Sequence, residues 1–245
     1  MKQAEARGRR MPLPLGWALA VIAIAVFCAL GVWQLSRQQQ KQAALEAVAQ
    51  VLHARQAQPL SMAAEPGRIN GYDWTAGAGR FAQAPAVLLD NQQRAGQAGV
   101  RAYRVFVPQQ GERLLVDLGW LPLPDRTRLP AVPLPLAEHV AGLLTPPPSS
   151  GIAADYSQRI GDALLVTRLQ PQAIAAQLAM SSLAPRILRL DPALPFGYPR
   201  DLDVLPNTLP PERHLGYAVQ WFGLAAAVLV TALVLTFRTR RATSP

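Results

Sequence analysis

The sequence is poor in the residues that usually carry chemistry. It has one cysteine, Cys28, and three histidines, His53, His139 and His214. A lone cysteine excludes an intrachain disulfide and any C-x-x-C redox or metal motif. The histidines are far apart and have no partner at metal-ligand spacing, which argues against zinc catalysis. Serines are few and none stands in a G-x-S-x-G elbow. No glycine-rich strand-to-helix turn offers a phosphate site. Asp90, Asp117, Asp201 and Asp203 read as turn residues and solvated strand ends rather than as an acid–base pair. The residues therefore give no support to an enzyme.

Charge is missing from two long runs. Leu15 to Val32 carries no charged side chain, and from Ala218 to Phe237 the only polar groups are Gln220, Trp221 and two threonines. About 20 apolar residues at about 1.5 Å each cross a hydrocarbon core of roughly 30 Å, so both runs read as transmembrane helices. The first run is longer than a signal-peptide core, and its A-x-A patterns, at 18–20 and 23–25, lie within the run rather than after it, so it reads as an uncleaved anchor.

The net charge of +9 would suggest nucleic acid if it sat on one domain, but most of it lies in the tails. Residues 36–214 hold 17 basic and 14 acidic side chains, leaving only +3. Nucleic acid is thus not an expected partner. Basic tails stay on the cytoplasmic side of a membrane. The expected layout is a cytoplasmic tail (1–12), a span (13–35), an exported periplasmic α+β domain (36–214), a second span (215–237) and a cytoplasmic tail (238–245).

Within the exported part, the polar stretch after the first span has no Gly or Pro and continues as helix to about Arg55. Short runs rich in Val, Leu and aromatics follow at 86–90, 102–108 and 113–122, with Gly111 marking a hairpin between the last two. Residues 121–148 contain eight prolines and read as an extended connector, with one strand at 139–144. A short helix at 169–180 and a last strand at 185–191 complete an α+β domain of mainly antiparallel strands.

The two membrane margins are less ordinary. Trp33, Arg37 and Lys41 fall at i, i+4 and i+8, beside Gln34, on one stripe of the first helix. On the second, His214, Tyr217 and Trp221 fall at i, i+3 and i+7 and share a face with Ala218 and Ala225. Interfacial aromatics and cations are often plain anchors. An imidazole above a groove of small residues is also a suitable axial ligand for haem iron, with Arg37, Lys41 and Arg213 placed to meet propionates.

The blocks "LGVWQLSRQQQK" and "HLGYAVQWFGLA" resemble the two signature segments of the Surfeit locus protein family, assembly factors of cytochrome c oxidase. "GRF", "VLLDNQ", "YRVFVP", "LLVDLGWLP" and "AGLLTPP" follow between them in the family's order. The resemblance implies a bacterial plasma-membrane assembly factor that is not an enzyme and that delivers or holds haem a, or else a scaffold without haem. It implies as partners the oxidase catalytic subunit, haem a synthase and membrane lipid. It maps the haem-ligand histidine onto His214, and the neighbouring positions onto Trp33, Gln34, Tyr217 and Trp221. One departure is Leu118 before Gly119 and Trp120, where the family usually has arginine.

The basic tails generate a test of topology. In a Cys28→Ser background, a membrane-impermeant thiol reagent should label a cysteine placed at Ser150 and spare one at Ser244. Equal labelling of the two from outside would overturn the arrangement.

Overall fold

The computed structural model describes residues 12–123, 128–148, 155–204 and 209–242, with side chains as far as Thr239. The basic tails expected at both ends fall largely outside these residues. The chain forms two compact units, one of residues 1–44 with 208–245 and one of residues 45–207.

The first unit is a pair of helices. Helix α1, Leu13–Ala54, runs for 42 residues, about 63 Å at 1.5 Å per residue. It is continuous because neither Gly nor Pro interrupts it after Gly31. Arg55 then takes a left-handed backbone (φ 41°), and Pro59 prevents resumption. Helix α3, Pro211–Ala242, begins on a proline, whose missing N–H costs nothing at a helix start. Both helices are long and apolar enough to cross a membrane. Trp17 Nε1 donates to Thr236 Oγ1 (3.0 Å) near one end, and Lys41 Nζ donates to the Leu209 carbonyl (2.5 Å) near the other. The pair is therefore antiparallel. Ala20, Gly31, Ala218 and Ala225 are buried along it, as expected where small residues let helices approach closely. A β-carbon on Gly31 would come within 2.7 Å of the Phe222 ring.

Among the described residues the second unit holds a sheet of eight strands: β1 (Asp73–Phe81), β2 (Ala86–Arg94), β3 (Gln97–Pro108), β4 (Leu114–Pro122), β5 (His139–Thr145), β6 (Ser157–Ile160), β7 (Ala163–Val166) and β8 (Ile187–Leu190). Their order is β1-β5-β8-β4-β3-β2-β7-β6, with β1 also pairing β3. That extra pairing closes β1, β5, β8, β4 and β3 into a ring. Strand β3 makes closure possible through its length of 12 residues. One of its edges pairs with β4, while the other is shared end to end by β2 (Gln97 to Tyr103) and β1 (Phe106 to Pro108). Among the described residues, the pairings between these strands are antiparallel except β2–β7 and β4–β8.

Alternation sorts the side chains into two cores. Phe81, Phe106, Leu114, Val116, Val140, Leu144 and Leu188 are packed in one cluster on the inner face of the ring. Val87, Tyr103, Val105, Leu115 and Ile187 face the other way, under the short helix α2 (Pro171–Gln177). Residues 45–54 of α1 join the unit through Val48, which packs on Trp74 and Leu143.

The expected strands at 86–90, 102–108, 113–122, 139–144 and 185–191 are all found, as are the helix after Pro171 and the turn at Gly111 (φ 101°). Strands β1, β6 and β7 were not expected; Gly77 and Gly79 break up the pattern of β1, and β6 and β7 have four residues each, too few to display a period. Leu118 is the extra residue of a bulge, since Ala102 pairs with Gly119 and Tyr103 with Asp117. Its side chain is 1% exposed, in the inner core. Its carbonyl accepts from Tyr198 N at 2.7 Å. Gly119 (φ 118°) must be glycine, because a β-carbon would meet the Tyr198 carbonyl at 2.6 Å.

Arg186 is fully buried. It donates to Asp73 Oδ2 (2.7 Å) and to the carbonyls of Met62 (3.2 Å), Gly71 (3.1 Å) and Leu144 (3.4 Å). It thereby ties the segment before β1 to the strands. Burial pushes its pKa down, and the Asp73 carboxylate opposes this. Arg186→Met should lower unfolding free energy by about 3–5 kcal/mol, because Asp73 remains in place with only the half-exposed Arg68 beside it. Asp73→Asn in the same chain should recover part of the loss. Denaturant titration of the full chain in detergent measures both, and a loss under about 1 kcal/mol would assign the pair the weight of a surface bridge.

Candidate functional site at the helix margin

The residues singled out at the margin all belong to the helix-pair unit. Pro211 and Glu212 begin α3, and His214 stands in its first turn. Gln34 faces it from α1. His214 Nδ1 and Gln34 Oε1 are 2.7 Å apart. With the amide oxygen as acceptor, Nδ1 carries the proton and Nε2 keeps its lone pair. Nε2 is buried and has no hydrogen-bond partner. The polar environment is thus asymmetric: one ring nitrogen is held and the other is left with unused capacity.

Arg37 lies over the Trp33 ring, its Cζ 5.8 Å from the centroid, and also donates to Gln40 (3.3 Å). Both Trp33 and Arg37 are exposed. Lys41 is committed to the Leu209 carbonyl. Trp221 stacks on Phe27 with centroids 5.7 Å apart and planes inclined by 28°. Tyr217 is 41% exposed. The structure therefore brings His214 to Gln34 and Arg37 to Trp33, and places Trp221 against an aromatic partner.

One expectation fails. Ala218 and Ala225 do not form an open groove; they are 1% and 6% exposed, filled by the helix seam. Along α3 at about 100° per residue, Ala218, Trp221 and Ala225 stay within about 40° of His214, whereas Tyr217 is about 60° off this line and turns outward. The seam takes the narrow stripe and leaves Tyr217 on its flank.

The sheet unit holds a second polar cluster that the sequence reading missed. Asp117, expected at a solvated strand end, is buried inside β4. It accepts from Arg101 Nη1 (2.5 Å) and from the Gly119 N–H (3.0 Å), with Arg189 Nε at 3.9 Å. Asp201 bridges Arg94 (2.9 Å), Arg189 (3.3 Å) and Arg101 (3.6 Å). Burial works to lower the Arg101 pKa, but the Asp117 and Asp201 carboxylates overcome it and hold it raised. Burial, reinforced by the Asp117 charge, pushes the Tyr103 hydroxyl up. Arg189 is lowered by burial and then by its neighbour Arg101. Arg189 also donates to the carbonyls of Asp201 and Asp203, so the cluster fastens residues 201–203 across β8. The available signal was register: Arg101, Asp117 and Arg189 occupy outward positions on paired strands, which no local spacing displays.

Comparison with known proteins bears on the margin and the sheet together. No curated protein matches the chain. A family model, the SURF1 family, matches residues 21–226, a range that contains every margin residue named above and all eight strands. That family is associated with cytochrome c oxidase assembly, and is a family of assembly factors rather than of enzymes. The match spans well over half of the sequence, and the chain belongs to the SURF1 family.

Proposed function

We propose that the chain is an assembly factor of the bacterial inner membrane that holds haem a on its way to the catalytic subunit of cytochrome c oxidase, with His214 as the iron ligand. The observation that carries this reading is the imidazole itself. Nδ1 is engaged by Gln34 while Nε2 has no partner. Ligating histidines commonly have their second nitrogen fixed in this way, which sets the tautomer and strengthens the donor. Haem a is cargo here, and when held it supplies an iron centre able to accept a nitrogen ligand. Trp33 and Tyr217 offer exposed rings beside the ligand, and Trp221 backs them. Arg37 is exposed at the margin and suits a propionate, whereas Lys41 already holds a backbone carbonyl.

The proposed topology is that of the basic tails: termini in the cytoplasm, spans at 13–35 and 215–237, and residues 36–214 in the periplasm. Partners are the catalytic subunit, haem a synthase and membrane lipid. A second reading, a scaffold without haem, is favoured by two observations. Ala218 and Ala225 are closed into the seam, and Nε2 is out of contact with water. In that case the Gln34–His214 bond only fixes the register of the helices.

Absorption spectra of the protein purified from cells able to make haem a separate these readings. His214→Ala should lose the haem bands and lower assembled oxidase activity at unchanged membrane abundance. Gln34→Leu should reduce haem affinity by roughly 10- to 100-fold, the usual effect of removing a ligand's supporting bond. His214→Met, still able to ligate, should keep some haem with a shifted spectrum, and Arg37→Gln should weaken retention. Haem bands in His214→Ala equal to the parent's would leave the scaffold.

A further inference from the structure

Arg104 differs from the other buried arginines. It lies within β3, 5% exposed, on the face shared by Ala102 and Phe106. One Nη donates to the Ala84 carbonyl and the other to the Val132 carbonyl. Its Nε is buried with no partner, as are those of Arg186 and Arg189, so the difference lies in the counter-charge. Arg186 and Arg101 hold carboxylates at 2.7 and 2.5 Å. For Arg104 the carboxylate in range, among the described residues, is Asp162 at 3.9 Å, with a side chain 80% exposed. The guanidinium is therefore met by neutral dipoles and left with little counter-charge, an expensive state for a buried cation.

This side chain lines a solvent-open cavity of about 1060 Å³ formed by residues 83–86, 128–134 and 159–163. Arg128 and Arg159 line it too, and among the described residues Asp162 is the only carboxylate in its lining, so three arginines there face one aspartate. The remainder is largely apolar, with Leu129, Val132, Leu134 and Ile160. Ligand pockets commonly combine such walls with a few placed polar groups, and this volume accommodates a small amphipathic molecule. A purely structural clasp would need the two Nη donors but not the excess of positive charge around them.

We propose that this cavity binds an amphipathic anion, its carboxylate or phosphate head at Arg104 and its apolar body along Leu129, Val132, Leu134 and Ile160. The site lies wholly within the sheet unit and does not depend on the haem reading. The head could come from a free fatty acid or from a phospholipid, and the test distinguishes them.

The full chain in a neutral detergent is photolabelled with three diazirine probes of equal alkyl length, ending in a carboxylate, a phosphate or an alcohol. Labelled peptides are mapped by mass spectrometry. Charge-assisted hydrogen bonding predicts labelling of residues 128–134 and 159–163 about tenfold stronger for an anionic head than for the alcohol. A stronger carboxylate assigns a fatty acid, and a stronger phosphate assigns a lipid headgroup. Arg104→Gln should bring anion labelling down to the alcohol's level. Arg128→Gln with Arg159→Gln, both exposed and away from the core, should lower it severalfold in a protein with the parent's thermal unfolding; this pair decides the matter should Arg104→Gln not fold. Equal labelling by acid, phosphate and alcohol, labelling elsewhere only, or anion labelling unchanged in the rim variant would overturn the site.

Discussion

Closure of the sheet on β3 is the constraint on which the sheet unit rests. An open sheet of this size would leave unpaired edges, and no disulfide is available to staple them. Here one strand of 12 residues satisfies β4 along one edge and both β2 and β1 along the other. The inner core exists because the ring encloses it, and the outer core exists because the same strands present their alternate residues to α2. Arg186 and Asp73 work in the same structure: the ring brings β1 and β5 close enough to the approach to β8 for the guanidinium carried there to bond both, together with the segment before β1. Its cost in desolvation is offset only while every partner is present.

The helix pair obeys a different economy. Apolar side chains packed on apolar side chains give little preference for one register over another, so the few polar groups decide it. Trp17 with Thr236 and Gln34 with His214 pin the pair toward opposite ends, and Gly31 sets the separation by accepting the Phe222 ring. The Gln34–His214 bond therefore has a positional effect whatever else the imidazole does.

Much of this was legible in the residues. The apolar runs, the extension of α1 to Ala54, the hairpin at Gly111 and five of the strand positions follow from period and punctuation. The pairing of Gln34 with His214 was only partly legible: each was singled out on its own helix, but spacing cannot say which residues of two helices meet. Asp117 shows the limit most clearly. Its local pattern is that of a strand end, and what buries it is a partner 16 positions away on β3 and another on β8, together with a bulge at Leu118. Ala218 and Ala225 failed in the same manner, since a stripe of small residues reads alike whether it is vacant or filled by a neighbouring helix.

The route of the ring through the chain also governs when it can form. Strand β1 waits for β5, some 65 residues later, and β4 waits for β8, separated from it by a similar span. Such long loops carry a high entropic cost before any pairing rewards it, and topologies dominated by distant contacts fold slowly. Until Leu190 has been synthesised, β4 and β5 each lack a neighbour, and the nascent chain presents open strand edges. The barrel cannot be built by halves: a chain ended before β8 keeps most of the apolar sequence but has no closed surface to bury it in, and is exposed to association through those edges.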